Sequence, residues 1–297
     1  MKRNINLLIR SMAFYAAILF FAGCTQDEGI KPKEDLGVDT RGPIGPGTGG
    51  GAGPKTVYGL TDNNQLQLLK LGPPITVVSS VTLSVPRGDV IRAIDFRGDG
   101  GLYGVSSGST IYLIDPATGV CKAVGGAFVP GIKGGLIGFD FDPKNDQIRI
   151  VTDLDQNIRV DPNTGALILA DTDINPAVYN MNAIAYGYNY ASRTYPLYDI
   201  DVSRGYLTRQ DPQNGGVITP IGPLNMVISG EGGFDILRSS NSTVGTAALF
   251  GRSLLPSTGT ADNLNTDAFR IWDINLQSAK TTYRGKLSRN IIGLAIP

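Results

Sequence analysis

The chain lacks histidine altogether and has only two cysteines among its 297 residues. Without an imidazole it cannot form a Ser-His-Asp or Cys-His catalytic arrangement, nor the common zinc sites that contain histidine. Charged residues are also few, at 18%, and the 26 basic residues balance the 26 acidic ones. This balance does not favour a basic surface, so we expect no nucleic-acid partner.

Long apolar runs are missing except near the N-terminus, where the first 23 residues have the layout of a bacterial secretory signal. Lys2, Arg3 and Arg10 give a basic start, and the apolar run that follows is too short to remain as a membrane span. Phe21-Ala22-Gly23-Cys24 then resembles a lipobox. We predict a lipoprotein signal peptide over residues 1–23, with an ordinary signal peptide and a chance cysteine as the alternative.

Lipidation of Cys24 would attach the protein to a membrane. The predicted location is the cell envelope, as an outer-membrane lipoprotein, with periplasmic and surface display both open. Residues 24–56 are predicted to be a disordered tether, because the stretch from Gly42 to Pro54 contains seven glycines and three prolines without a collagen period.

Glycine is abundant, with 39 residues beside 18 prolines, which is typical of short strands joined by many turns. Five segments share a small residue, a large apolar residue, Asp or Ala, and another large residue. They are Ala93-Ile94-Asp95-Phe96, Gly138-Phe139-Asp140-Phe141, Ala183-Ile184-Ala185-Tyr186, Gly233-Phe234-Asp235-Ile236 and Gly293-Leu294-Ala295-Ile296. Their spacings are 45, 45, 50 and 60 residues, and the first four are each followed by three further short strands. Four strands per repeat predict a propeller blade.

The two ends of the repeat region complete one another. The last repeat stops after its first strand, Asn290 to Ile296, whereas Val57 to Leu60 is a second strand without a first. Pairing these segments would close the ring and cover the exposed strand edges. We therefore predict an all-β fold, a five-bladed β-propeller over residues 57–297, closed by its N- and C-terminal strands.

Several stretches resemble the bacterial family known as domain of unknown function 4394. They are Val57 to Leu66, Ile94 to Arg97, Gly138 to Pro143, Asp146 to Asp153 and Gln156 to Gly165. The resemblance covers essentially residues 57–297 and implies a secreted or cell-surface, propeller-like domain without assigned catalytic residues. The main departure is an insertion, Ser253 to Asp267, where a loop function would be specific to this chain.

Two repeats carry arginine where others carry packing residues. The aligned third-strand residues are Leu113, Arg159, Arg209 and Ile271, and the aligned second-strand residues are Tyr58, Tyr103, Arg149 and Tyr198, with Ala248 to Gly251 as the second strand of the last full repeat. An unpaired buried guanidinium is costly, so each needs an acceptor. In a structural interpretation the arginines pair with Asp140, Asp153 or Asp199 and link blades three and four. In a functional one they line a pocket for an anion or carboxylate.

The same region holds six of the twelve tyrosines. Alternation predicts that Tyr186, Tyr188 and Tyr190 share one face of an extended strand, as a stacking platform for sugar rings, with ordinary strand packing as the alternative. The candidate ligand-binding residues are therefore Arg149, Arg159, Arg209, Asp140, Asp153, Tyr186, Tyr188 and Tyr190. The expected partner is a glycan or a protein.

Three aspartates, Asp95, Asp140 and Asp235, occupy one position in three first strands, so we expect them near the propeller axis. Facing carboxylates would either bind a cation, with Ca²⁺ as the candidate cofactor, or raise one another's pKa. The alternative is that each carboxylate caps a backbone group at the end of its own strand.

Repeats without a recognisable nucleophile and base favour a surface-anchored lipoprotein with a non-catalytic ligand- or partner-binding propeller. A carboxylate-dependent glycoside hydrolase, or another extracytoplasmic hydrolase, is the alternative, because two carboxyl groups suffice for that chemistry. This alternative depends on analogy between folds. A purely structural surface protein is a third possibility, which would lack a concave pocket.

Overall fold

The computed structural model describes residues 54–238, 243–257 and 259–297. The predicted signal peptide, Cys24 and most of the predicted tether lie outside the described residues. Within the described part, no helix is both long enough and apolar enough to cross a lipid bilayer.

The described residues form 21 strands and two short 3-10 helices. The strands are β1 (Thr56–Thr61), β2 (Gln65–Lys70), β3 (Thr76–Thr82), β4 (Ile91–Phe96), β5 (Leu102–Ser106), β6 (Ile111–Ile114), β7 (Cys121–Val124), β8 (Ile137–Asp142), β9 (Gln147–Thr152), β10 (Asn157–Val160), β11 (Leu167–Ala170), β12 (Met181–Tyr186), β13 (Leu197–Asp201), β14 (Tyr206–Gln210), β15 (Ile218–Pro223), β16 (Met226–Ile228), β17 (Gly233–Asp235), β18 (Val244–Ser253), β19 (Ala268–Asn275), β20 (Thr281–Lys286) and β21 (Ile291–Ala295). The 3-10 helices are Pro86–Gly88 and Gln213–Gly215.

The strands form five antiparallel sheets, which are the blades of a propeller. Blade one consists of β21, β1, β2 and β3, blade two of β4 to β7, blade three of β8 to β11, blade four of β12 to β15 and blade five of β16 to β20. The inner strands β4, β8, β12, β17 and β21 contact one another in a closed ring. The predicted all-β, five-bladed architecture is confirmed.

The two ends of the repeat region meet within blade one. Strand β21 pairs antiparallel with β1, so that Tyr58 lies opposite Ala295 and Gly59 lies opposite Leu294. This pairing gives the first strand of the domain a hydrogen-bonded neighbour on its inner edge. The predicted closure of the ring by its N- and C-terminal strands is confirmed.

Small residues let the inner strands approach closely. A Cβ atom at Gly233 would lie 2.3 Å from the backbone nitrogen of Leu294, and one at Gly138 would lie 2.9 Å from that of Ile184. In both cases the contact is with the inner strand of the next blade, so a larger residue would push the two blades apart. Between the inner strands there remains a cavity of about 10 Å³, room for one water molecule at most. At the level of Gly138 and Gly233 the inner strands are therefore closely packed.

The cross-strand register corrects the predicted alignment of blade five. Asp235 lies opposite Thr246, which lies opposite Asp273. The sequence alignment places Ile271 and the strand from Ala248 to Gly251 there, and it is wrong by two or three residues. Strand β18 is a run of small and apolar residues, GTAALFG, so it offers no alternation that would fix its register.

Candidate functional site

Three charged side chains lie side by side across blade three. Asp140 on β8 is opposite Arg149 on β9, which is opposite Arg159 on β10. Blade four has Tyr198 and Arg209 opposite one another in the corresponding positions. The predicted alignment of the arginine positions is confirmed for these two blades.

Arg149 is buried, with 1% of its surface exposed. Its guanidinium donates to Asn157 Oδ1 at 2.6 Å, Asp171 Oδ2 at 3.2 Å, the Tyr186 hydroxyl at 2.8 Å and Asn214 Oδ1 at 2.6 Å. Tyr186 and Asn214 belong to blade four, so Arg149 links blades three and four. Each guanidinium nitrogen has an acceptor within the protein, so the contacts of Arg149 match the predicted link between the two blades but not its predicted acidic partners.

Arg159 forms a two-point ion pair with the carboxylate that also faces Arg149. Its Nε lies 2.7 Å from Asp171 Oδ2 and its Nη2 lies 2.9 Å from Asp171 Oδ1. Hydrogen bonding to this carboxylate raises the pKa of Arg159. The predicted acidic partners of the arginines, Asp140, Asp153 and Asp199, are wrong, since the carboxylate that pairs with Arg149 and Arg159 is Asp171. Comparison of the repeats could not identify Asp171, because it lies just after β11 and outside the repeated positions.

Asp153 and Asp199 have other environments. Asp153 Oδ1 accepts hydrogen bonds from the backbone N–H groups of Gly135 and Leu136 at 2.8 and 3.1 Å, and so it holds the loop before β8. Asp199 on β13 is fully buried, and neither carboxylate oxygen has a hydrogen-bond partner among the described residues. Burial raises the pKa of Asp199 to about 8, so this carboxyl is mostly protonated at neutral pH.

Arg209 differs from the other two arginines because its side chain is 45% exposed. Its Nη2 donates to the exposed carboxylate of Asp211 at 3.0 Å. Arg209 also lines two clefts, one on each side of blade four. Of the three predicted arginines, it is the one placed to contact a ligand.

The first cleft lies between blades three and four and has a volume of about 450 Å³. Its cationic lining residues are Lys144, Arg193 and Arg209. Among the described residues, the side chains of Lys144 and Arg193 have no hydrogen-bond or ion-pair partner. Two carboxylates also line the cleft, Asp211 and the buried Asp142, whose oxygens accept two N–H groups of its own turn. Three cations against two carboxylates leave a net positive charge, which suits an anionic ligand.

The second cleft lies between blades four and five and has a volume of about 530 Å³. Its lining residues include Tyr188, Tyr198, Arg209, Ile221, Leu276, Asn189 and Gln277. The long turn between β12 and β13, residues 187–196, contributes to both clefts, and we call it the blade-four hairpin. Sequence comparison of repeats missed Lys144 and Arg193, because both lie in turns, where the repeats differ in length.

The three predicted platform tyrosines do not share one strand face, because β12 ends at Tyr186. Tyr186 is buried and accepts a hydrogen bond from Arg149. Tyr188 lines the second cleft and packs against Tyr195, with ring centroids 5.1 Å apart. Tyr190 is 63% exposed and lines neither cleft. Of the three predicted tyrosines, Tyr188 is therefore the one that lines a cleft.

The three aspartates predicted near the axis, Asp95, Asp140 and Asp235, do meet there. Each offers a carboxylate oxygen within 4.8 Å of the others, and all three residues are buried. We call them the axial aspartates. Burial, followed by the neighbouring carboxylate of Asp95, raises the pKa of both Asp140 and Asp235.

The axial aspartates accept five backbone N–H groups, one at each inner strand. Asp95 accepts those of Phe96 and Phe141, Asp140 accepts that of Tyr186, and Asp235 accepts those of Ile236 and Ile296. Each aspartate thus caps the inner strand of the next blade, and in two cases its own as well. The alternative that each carboxylate caps its own strand is confirmed for Asp95 and Asp235 but is wrong for Asp140, which caps only the strand of the next blade. The binding of Ca²⁺ stays a prediction.

Two ion pairs missed by sequence reasoning join blades two and five across blade one. Arg92 on β4 contacts Glu231, which precedes β17. Arg238, which follows β17, contacts Asp95 on β4 at 3.2 Å. The pairs lie toward opposite ends of the inner strands and brace blade one, in which β1 and β21 pair.

The stretch from Ser253 to Asp267, which we predict to be an insertion, is organised around Arg270, which is fully buried. Its guanidinium donates to the Asp262 carboxylate at 2.6 Å and to the backbone carbonyls of Gly251, Asn263 and Thr266. This bonding lowers the pKa of Asp262. Every guanidinium nitrogen is used within the protein, so Arg270 shapes the loop.

Comparison with known proteins gives a family and two weak structural similarities. The family model described as "Domain of unknown function (DUF4394)" matches residues 65–295. No curated protein matches the chain. The crystal structure of a protein of unknown function from Bacteroides caccae is similar at 8% identity and a TM-score of 0.43, over 81% of this chain and 97% of that one. The hydrazine synthase of Kuenenia stuttgartiensis is similar at 10% identity and a TM-score of 0.36, over 80% of this chain and 65% of that one.

Proposed function

Since the chain belongs to the family described as domain of unknown function, DUF4394, whose description assigns no activity, we propose a function from the clefts themselves. The protein is a non-catalytic binding propeller that takes an anionic ligand in the first cleft. We also propose that Cys24 carries lipid and anchors the propeller at the outer membrane. The lipobox-like FAGC and the glycine-rich segment before the propeller support this anchoring.

The observation that carries the binding proposal is that the cations in the first cleft lack buried acidic partners. Lys144 and Arg193 have no partner for their side chains among the described residues, and Arg209 has only an exposed one. In blade three, by contrast, Arg149 and Arg159 are fully paired with Asp171 and neutral acceptors. Unpaired guanidinium and ammonium groups that converge on a cleft of this size match the polar groups of an anion-binding pocket.

Binding can be tested by screening anionic glycans and metabolites against the purified full chain. We expect Arg209→Ala to weaken the binding of a hit by about tenfold or more, the effect of losing a hydrogen bond to a charged group. Arg252→Ala is the matched control, because Arg252 is 42% exposed and pairs with Asp267 at 3.0 Å, outside both clefts. Equal affinities for the two variants, or no anionic ligand at all, would contradict the proposal.

The hydrolase alternative needs two carboxyl groups about 5 to 9 Å apart in an open cleft. The axial aspartates hold backbone N–H groups and are buried, so we do not assign them to glycoside cleavage. The first cleft has Asp142 and Asp211, but Asp142 is buried in its turn. Incubating a bound glycan with the protein and analysing the products separates the functions, since release of shorter sugars would replace binding by hydrolysis.

The anchoring proposal has its own test. In cells that express the full chain, Cys24→Ala should move the protein from the membrane fraction to the soluble fraction. A protein that stays in the membrane fraction after this change would contradict lipid attachment through Cys24.

A further inference from the structure

The two clefts share a side chain. Arg209 lines both the first cleft and the second cleft. The blade-four hairpin also reaches both, because Tyr188, Asn189 and Ala191 line the second cleft while residues 193–196 line the first. A ligand that contacts Arg209 is therefore adjacent to two concave surfaces, and each has the volume of a small-ligand site.

An aromatic pair connects the clefts through the hairpin. Tyr195 lines the first cleft and Tyr188 lines the second. Their ring centroids lie 5.1 Å apart with a tilt of 38°. The backbone of Asn189 and Thr194 closes the hairpin with hydrogen bonds of 2.9 and 3.3 Å. The hairpin thus holds both rings without help from a ligand, which lowers the cost of ordering them on binding.

The linings differ in a way that defines a ligand class. The first cleft supplies cations, whereas the second supplies the tyrosine rings of Tyr188 and Tyr198 beside the amides of Asn189 and Gln277. A matching ligand needs negative charges, flat apolar faces and many groups that both donate and accept hydrogen bonds. Pyranose rings that carry carboxylates have all three properties.

We propose that the first and second clefts form one binding site for an acidic oligosaccharide that crosses Arg209. This inference rests on the proposed function and adds the class of ligand and the extent of the site. The carboxylates lie against Arg209, Arg193 and Lys144, and a sugar ring lies against Tyr188.

An acidic peptide would also present carboxylates, but the strand that carries Arg209 has no free edge to which a peptide backbone could hydrogen-bond. Strand β14 is paired with β13 on one side and with β15 on the other, so neither edge is free to accept an added strand. The lining groups that remain are side chains suited to hydroxyl and carboxylate groups. We therefore favour the oligosaccharide and treat the acidic peptide as an outcome of the test.

The test is a calorimetric titration of the full chain with uronic acids of increasing length, namely the galacturonate monosaccharide, short oligogalacturonates and longer ones. Methyl-esterified oligogalacturonates and an oligoglutamate peptide serve as comparison ligands. Affinity should rise with chain length and fall on esterification or added salt. Arg209→Ala should weaken all acidic sugars by about tenfold or more, and Tyr188→Ala should weaken only the longer ones.

Two variants are matched controls. Tyr190→Ala removes a tyrosine from the same hairpin that lines neither cleft, and Arg252→Ala removes a paired, exposed arginine outside both clefts. Both should bind like the unmodified protein. Near-ultraviolet circular dichroism of each variant verifies that the propeller is folded before its affinity is compared.

The outcomes separate this inference from the proposed function. If galacturonate binds through Arg209 but longer chains bind no better and Tyr188→Ala changes nothing, the shared site is wrong and the anion cleft survives. If no acidic sugar binds, or the esterified sugars bind equally well, both are overturned for this ligand class. Tighter binding of oligoglutamate than of any oligogalacturonate would replace the sugar by a peptide.

Discussion

Blades three and four carry an arginine at the same position of the third strand, but the two side chains differ in pairing and exposure. Arg159 and Arg209 occupy corresponding positions on β10 and β14, yet Arg159 is paired with the buried Asp171, whereas Arg209 is 45% exposed and reaches only an exposed carboxylate. The difference comes from the loop after β11, which brings Asp171 back over blade three. The same residue at the same position is therefore structural or available to a ligand according to the loop that covers it.

The largest effect on stability should follow from removing the buried arginine of blade three. Arg149→Ala removes the guanidinium that Asp171, Asn157, Tyr186 and Asn214 share, and it leaves their buried polar groups without that donor. We expect a loss of about 3 to 5 kcal/mol in the free energy of unfolding, measured by chemical denaturation. A loss below about 1 kcal/mol would mean that the link between blades three and four is not structural.

A second test contrasts a paired buried acid with an unpaired one. Asp199→Ala removes a carboxyl that has no hydrogen-bond partner among the described residues, so we expect an increase in stability of about 2 kcal/mol at neutral pH. Asp171→Ala should instead destabilise the protein, because two arginines lose their acceptor. Destabilisation by both changes would show that Asp199 has a stabilising role.

The Asp199 test also has a pH signature. The pKa of Asp199 is about 8 in the folded protein against an ordinary value of 3.8. Between these values the folded state binds a proton that the unfolded state releases, so this group lowers stability as the pH rises from about 4 to about 8. In the Asp199→Ala variant this contribution should be missing. Parallel curves of unfolding free energy against pH for the two proteins would contradict the assignment.

A smaller effect on stability is expected from replacing one of the axial aspartates. Asp140→Ala removes the acceptor of the Tyr186 N–H group and should cost about 1 kcal/mol. Asp140→Asn keeps a carbonyl acceptor, and because the pKa of Asp140 is raised by burial and by Asp95, the neutral amide resembles the protonated acid. Because a raised pKa in the folded state lowers stability as the pH rises, we expect this variant to match the unmodified protein in acid and to exceed it in stability as the pH increases, as judged by thermal unfolding. Equal losses for both variants would contradict a capping role.

The sequence predicts the parts of the molecule that repeat. The blade count, the closure by β21 and β1, and the meeting of Asp95, Asp140 and Asp235 all follow from one four-residue pattern, because inner strands at the same register converge on one axis. The alignment fails only in blade five, where β18 lacks the alternation that would fix its register.

The candidate site is less predictable because it is built from parts that do not repeat. Asp171 follows β11, Lys144 lies in a tight turn, and Arg193 lies in a hairpin of residues 187–196 that is longer than the turn of residues 97–101 in blade two. Their positions depend on how turns of unequal length fold over neighbouring blades. Aligned positions therefore identify Arg209 as unusual, but they cannot reveal which charges lie beside it.

The smallest effect on stability should come from the exposed side of the comparison. Arg209→Ala breaks an ion pair in which both side chains are largely exposed, at 45% and 59%, and such pairs contribute little because solvent screens them. We expect a change within about 0.5 kcal/mol, equal to that of Arg252→Ala, in chemical denaturation of the two variants. A loss comparable to that of Arg149→Ala would place Arg209 among the structural arginines and remove the main support for the anion cleft. An unchanged stability with weakened ligand binding would show that one loop decides which of two equivalent arginines serves the fold and which serves recognition.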